Sequence, residues 1–349
     1  MRVVIHVGMH KTGSSSIQNT LAKHDNPSLK HLDWESPNHC GLFVLLFQDE
    51  DKLADYHGFR ARGPEFLNQL PQMRQKWLKI THSALQAAVG KTVILSAEDI
   101  SSPIFHNATQ RMLEFFSQYS SDISAIGYVR SPRSFVNSAF PQVLKDTDYK
   151  TLDLTPFWPR YRTSFEPILE AFGPENVTLK RYHPADLYDG NVVLDIFQQL
   201  GLQPPSERPE KANQALSLEA TALLFTQRCL GDGYVQGFPG AQRGNNLFIA
   251  GLQSIGSQKF AFSETWLQSY IQNSLDDIHW MEKILGKPLL DDIPDLPNKV
   301  DSKEMLFEIA ERSQNELETI LINHISNRTG PKRQRVVRML DLLRKGSYR

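Results

Sequence analysis

A glycine pair, a lysine and a run of hydroxyls gather in Val7-Gly8-Met9-His10-Lys11-Thr12-Gly13-Ser14-Ser15-Ser16-Ile17. The stretch follows an apolar β-branched run, Val3 to Val7, and opens a helical pattern over Ser14 to Lys23. Successive backbone N–H groups and the positive end of a helix then converge on one point, which suits a phosphate or sulfate. Lys11 adds a mobile charge, and Thr12, Ser14, Ser15 and Ser16 add hydroxyl donors. Gly13 lets a ligand approach the backbone closely. A nucleoside triphosphatase loop, Gly-x-x-x-x-Gly-Lys-Ser/Thr, carries its lysine directly after the second glycine. Gly8 and Gly13 keep that spacing, yet Ser14 follows and the lysine stands at 11, so the register is different.

A second element follows another buried run: Ile126-Gly127-Tyr128-Val129-Arg130-Ser131-Pro132-Arg133-Ser134-Phe135-Val136-Asn137-Ser138. An arginine at a strand's carboxyl end and a serine on the next helix can grip one phosphate from two sides, the first with a charged fork and the second with a hydroxyl. In α/β sheets ligands bind at these carboxyl ends.

Lys-Thr-Gly-Ser-Ser after the first strand resembles the 5'-phosphosulfate loop of the sulfotransferases that use 3'-phosphoadenosine 5'-phosphosulfate (PAPS). Arg130 and Ser138 resemble their 3'-phosphate element. Lys211-Ala212-Asn213-Gln214-Ala215-Leu216-Ser217 and Asn38-His39-Cys40 are similar, more loosely, to segments of the bacterial and carbohydrate-type branch. The likeness covers about the first 220 residues, and the late Arg-Lys-Gly-x-x-Gly segment of cytosolic small-molecule members is not recognisable. The resemblance implies PAPS as co-substrate, no metal, and a carbohydrate or glycolipid acceptor. It assigns Lys11 to the charge on the leaving phosphate oxygen, the loop from Thr12 to Ser16 to the donor, and Arg130 with Ser138 to the 3'-phosphate. Family members place the acceptor's base at one of two strand ends, here His39 or Glu98. His39 is the better matched, because a neutral imidazole works near pH 7 whereas an unperturbed glutamate is a weak base. His10 and His106 read as supporting or surface groups. Arg160 and Arg162, beside Trp158, fit a sugar or anionic acceptor as well as they fit an amphipathic loop. Two rival readings use the same residues: a P-loop kinase with Mg-ATP, taking Val93 to Asp99 as its magnesium strand, and a nucleotide-binding protein without chemistry.

Four continuous apolar runs, Val3 to Val7, Thr92 to Leu95, Ser124 to Val129 and Val177 to Tyr182, alternate with helical patterns at Ser14 to Lys23, Pro71 to Ala88, Thr109 to Ser117, Pro132 to Leu144 and Asn191 to Leu200. Continuous runs are buried on both faces, so the pattern predicts an α/β three-layer, P-loop-like fold with a central parallel sheet. A short strand at Leu32 to Trp34 is expected to precede His39. Prolines at 204, 205 and 209 mark a boundary, giving a core over 1–205 and a helical C-terminal region over 206–349, which would cover the acceptor cleft. In that region helices are expected at Leu216 to Leu230, Ser263 to Leu285 and Ser302 to Ile325, with a long loop or lid over Gly231 to Gly251. Lys332 to Lys345 reads as a basic amphipathic helix that lays its Val/Leu stripe on the core, with peripheral membrane contact as the other option.

With 349 residues, 40% hydrophobic and 22% charged, the chain can bury a sizeable core. Lys and Arg number 38 against 39 Asp and Glu, which leaves no overall electrostatic footprint for nucleic acid. Two cysteines, Cys40 and Cys229, are too few for a disulfide framework, and histidines at metal-ligand spacing are lacking. Without a signal-like N-terminus or a transmembrane run, the sequence reads as cytoplasmic.

Overall fold

The computed structural model describes residues 1–205, 215–231, 234, 239–291, 296–326, 336–337 and 340. Five strands, β1 (Arg2–His6), β2 (Leu29–His31), β3 (Thr92–Ser96), β4 (Asp122–Val129) and β5 (Val177–Arg181), form one parallel sheet in the order β2-β3-β1-β4-β5. Arg2 of β1 pairs with Thr92 on one side and Asp122 on the other, so β1 lies at the centre. Its side chains alternate between the faces. Val3 and Ile5 enter a large core with Val93 and Leu95, while Val4 enters a smaller one with Ile94 and Ile126. Burial on both faces is the reason these runs are continuously apolar, and each fully buried aliphatic side chain contributes about 1.5–3 kcal/mol.

The helices in chain order are α1 (Ser14–Lys23), α2 (Cys40–Phe47), the single turns α3 (His57–Arg60) and α4 (Pro64–Leu67), α5 (Leu70–Ala87), α6 (His106–Ser117), α7 (Pro132–Asp146), α8 (Tyr161–Phe172) and α9 (Val192–Leu200). The C-terminal region adds α10 (Leu218–Leu230), α11 (Pro239–Leu252), α12 (Glu264–Asn273), α13 (Leu275–Leu285), α14 (Lys303–Arg312) and α15 (Gln314–Ser326). Ile17 and Leu21 of α1 and Ile196 and Phe197 of α9 cover the smaller core, whereas α2, α6, α7 and α8 cover the larger. The expected α/β three-layer architecture with a helical C-terminal part is present. Helix starts follow local chemistry: Ser131, Asn191, Ser217, Ser263 and Ser302 each cap a first turn by accepting a backbone N–H.

Asp195 joins three elements below the sheet edge. Tyr128 of β4 donates to its Oδ2 at 2.9 Å, the Tyr188 N–H donates to Oδ1 at 2.9 Å, and the Lys180 ammonium of β5 pairs with it. The fully buried carboxylate is thereby satisfied and fixes α9 against the strands.

Several expectations need correction. The short strand lies at Leu29–His31 rather than Leu32 to Trp34, because those three residues pair with Thr92 to Ile94. Residues 239–251 of the expected loop fall in α11, which buries Ile249 and Leu252 despite its glycines. The long helices at 263–285 and 302–325 are each broken once, at Ser274 and Ser313. Both serines turn their hydroxyls back onto carbonyls of the preceding turn, Ser274 onto Tyr270 at 2.7 Å and Ser313 onto Ile309 at 2.8 Å, a bond that competes with helix continuation. Of the basic stretch Lys332 to Lys345, only 336, 337 and 340 are described. Val336, Val337 and Leu340 are exposed, not laid on the core. The segment Lys211 to Gln214 lies outside the described residues. No helix among the described residues is long and apolar enough to cross a membrane.

Candidate functional site

After β1 the chain turns into α1 on the smaller-core face, and after β4 it turns into α7 on the opposite face. Neighbouring strands whose helices diverge leave a crevice at their carboxyl ends, and the two charged elements meet there. The loop prolongs β1, with Val7 N–H donating to Ile126 O at 2.9 Å and Met9 N–H to Tyr128 O at 3.0 Å. Gly8 has φ +91°, and a Cβ there would stand 3.0 Å from Glu98 Cα, so glycine is what lets the loop lie against the end of β3. Gly13 has φ +82° and starts α1 without a side-chain cap.

Arg130 bridges the two elements. Its Nη1 donates to Lys11 O at 2.5 Å, its Nε to Ser134 Oγ at 2.7 Å, and its guanidinium sits over the Tyr182 ring at 5.4 Å. Tyr161 braces it from behind by donating to Arg130 O at 2.7 Å. Burial lowers the pKa of Lys11, and the cations Lys145 and Arg130 lower it further. Arg130 is likewise lowered by burial. Cations crowded and desolvated in this way gain most from a bound anion. Ser134, Ser138 and Lys145 recur at helical spacing on α7, so one face of that helix carries hydroxyls and a cation toward the loop.

The expected residues divide by what they touch. Arg130 joins Lys11 through the Lys11 carbonyl, and Gly13 to Ser16 form the adjoining start of α1. The Thr12 hydroxyl is spent inside the loop, donating to Met9 O at 2.6 Å. Arg130 takes Ser134 as its hydroxyl partner, while Ser138 lies one turn further along α7. His39 is fully buried with both ring nitrogens occupied: Nδ1 accepts from Ser96 N–H at 2.9 Å and Nε2 donates to Leu32 O at 2.9 Å. Burial lowers its pKa to about 3, with His31 adding to the shift. His39 therefore pins the end of β3 to the segment before α2, and it has no nitrogen left to take an acceptor's proton; the base assignment to His39 is corrected on that ground.

Glu98 directly faces the loop. Burial pushes its pKa up, but His10 and the Ser14 hydroxyl outweigh this and hold it below the usual carboxylate value. His10 Nδ1 lies 3.6 Å from Glu98 Oε1, and His10 Nε2 lies 3.1 Å from Asp99 Oδ1. Arg162 is bonded to Glu166 at 3.0 Å and lies over Trp280, while Trp158 stacks on Tyr270 at 5.3 Å. This group packs the start of α8 against α12 and α13, and Arg160 is exposed. Sequence reasoning missed Ser134 and Lys145, although their spacing with Ser138 was visible, and it undervalued His10.

The C-terminal region is fastened to the start of α7. Arg133 Nε binds both Glu264 oxygens at 2.8 and 2.9 Å, its Nη1 donates to Asp291 O at 2.8 Å, and Ser131 bonds to Asp291. No model of a known protein family matches the chain, and no curated protein matches its sequence.

Proposed function

We propose that this protein is a sulfotransferase that moves the sulfuryl group of PAPS to a hydroxyl of a carbohydrate or glycolipid acceptor, with an amine as the other acceptor class. The observation that carries the reading is the Arg130 bridge to Lys11 O at 2.5 Å, which sets two anion-binding elements side by side at one crevice. A donor with phosphates at both ends of its ribose needs such a pair. The donor set fits it: an uncapped helix start and two desolvated cations. When bound, PAPS supplies the activated sulfuryl group.

Glu98 is the carboxylate that faces the loop; held below the usual carboxylate value it is a weak base, so in this reading it orients the acceptor hydroxyl and takes its proton only as the new bond to sulfur acidifies that oxygen. As the acceptor O–H bond breaks, its oxygen bonds to sulfur and the bond from sulfur to the 5'-phosphate oxygen breaks. The electron pair leaves on that phosphate oxygen, where Lys11 meets it. Positioned charge of this kind is the main source of rate enhancement in transfers of tetrahedral oxyanion groups. Free Cys40 and Cys229 accord with a reducing, cytoplasmic setting.

The test is calorimetric titration with 3',5'-adenosine bisphosphate, with ATP in parallel and EDTA present. Micromolar binding of the bisphosphate and much weaker binding of ATP supports the reading; preference for ATP restored by Mg2+ replaces it with the kinase. Arg130→Ala is expected to weaken bisphosphate binding about 10- to 100-fold, since charged hydrogen bonds are worth about 1.5–3 kcal/mol. Equal affinity in the two proteins removes Arg130 from the phosphate site.

A further inference from the structure

We propose that His10 is the positioning residue for acceptor deprotonation: its imidazolium bridges Glu98 and Asp99 and keeps Glu98 fixed and charged to receive the proton. The inference rests on the sulfotransferase reading and deepens it. Glu98 and Asp99 are adjacent in one 3-10 turn at the end of β3. Two carboxylates so placed repel: the Asp99 charge raises the pKa of Glu98, and a cation between them offsets it. His10 supplies that cation from the anion loop, 3.6 Å from Glu98 Oε1 and 3.1 Å from Asp99 Oδ1.

The far side of the bridge is anchored. Tyr56 donates to Asp99 Oδ2 at 2.9 Å, and the Asp99 N–H points at Cys40 Sγ at 3.4 Å. His57 also faces Asp99. Ser14, Lys11 and buried His6 face Glu98. The half-exposed His10 loses some solvation, but its contacts with Asp99 and Glu98 outweigh this and push its pKa up to about 10. With His10 held by both acids, the remaining lone pairs of Glu98 serve the acceptor. The O–H proton moves to Glu98 while the oxygen takes up sulfur, and His10 neither gains nor loses a proton.

The test is the pH profile of sulfate release from PAPS, with water as the acceptor, in wild type and His10→Gln. Loss of the bridging cation raises the carboxylate pKa, so the acid limb of kcat in His10→Gln is expected to move up by about 1 pH unit or more relative to wild type, over the pH values at which circular dichroism shows both proteins folded. An unmoved acid limb overturns the role. Imidazole titration by NMR probes the bridge with no substrate present: His10 titrating above about pH 8 supports it, and titration near the free value of about 6.5 overturns it. A wild-type protein that neither binds the bisphosphate nor releases sulfate overturns the sulfotransferase reading as well, whereas an active wild type with an unmoved limb in His10→Gln overturns the positioning role alone.

Discussion

Lys11→Ala is expected to lower kcat about 10²- to 10³-fold while leaving thermal stability unchanged or slightly raised. The loss corresponds to about 2.7–4 kcal/mol of transition-state stabilisation, the usual consequence of removing one preorganised donor from a developing oxyanion. Stability should not fall with it, because the ammonium is held at a cost: burial, Lys145 and Arg130 all oppose its charge. Alanine removes that repulsion and keeps the positive φ of +64° found at this position. Sulfate release and a thermal melt on the same preparation separate the effects. A melt that drops in parallel with kcat would show that Lys11 supports the loop instead of the chemistry.

Acid is expected to unfold the protein steeply. His6 and His39 are fully buried, and burial lowers their pKa values to about 4 and about 3. An unfolded chain protonates the same residues near pH 6.5. Between those limits the unfolded state binds protons that the folded state refuses, so stability falls as pH falls. Two such groups give about 2.7 kcal/mol per pH unit below about pH 6, at about 1.36 kcal/mol each. Glu98 and Asp99, both held below ordinary carboxylate values, withdraw their contribution in the same direction at lower pH. His10 acts oppositely: raised to about 10, it stabilises fully below about 6.5 and loses that effect as pH rises toward its folded value. Urea midpoints measured from pH 8 to pH 5 should therefore peak near neutrality and drop on the acid side. A midpoint constant from pH 7 to pH 5 would show that His6 and His39 take up protons in the folded protein.

The parts of the fold that were readable were those where burial dictates residue type along a whole run. β1, β3 and the second half of β4 are buried on both faces, so each gives an almost continuous apolar string that no amphipathic helix would produce. β2 escaped because an edge strand of three residues, Leu29-Lys30-His31, carries no such string. The breaks at Ser274 and Ser313 were invisible for a different reason: the apolar spacing runs through both, and only a serine hydroxyl bonded to the preceding turn reveals the interruption. At the site, residue type and position announced Lys11 and Arg130, since each stands at the end of a buried strand. The role of His39 was illegible, because an imidazole that bonds two backbone groups and one that takes a proton have the same letter. Ser134 was hidden by a pattern that directed attention four residues further along the same helix face.

The central position of β1 has a consequence for synthesis. It leaves the ribosome before the other four strands of the sheet, yet its pairing partners are the third and fourth. Lys11 must wait for Arg130, 119 residues later. At about 5–20 residues per second that interval is about 6 to 24 s, during which the nascent chain carries an unpaired apolar strand and an unformed loop. Nascent chains arrested before β4 should therefore be sticky and incapable of holding an anion, and chaperone capture should end only when that strand has emerged.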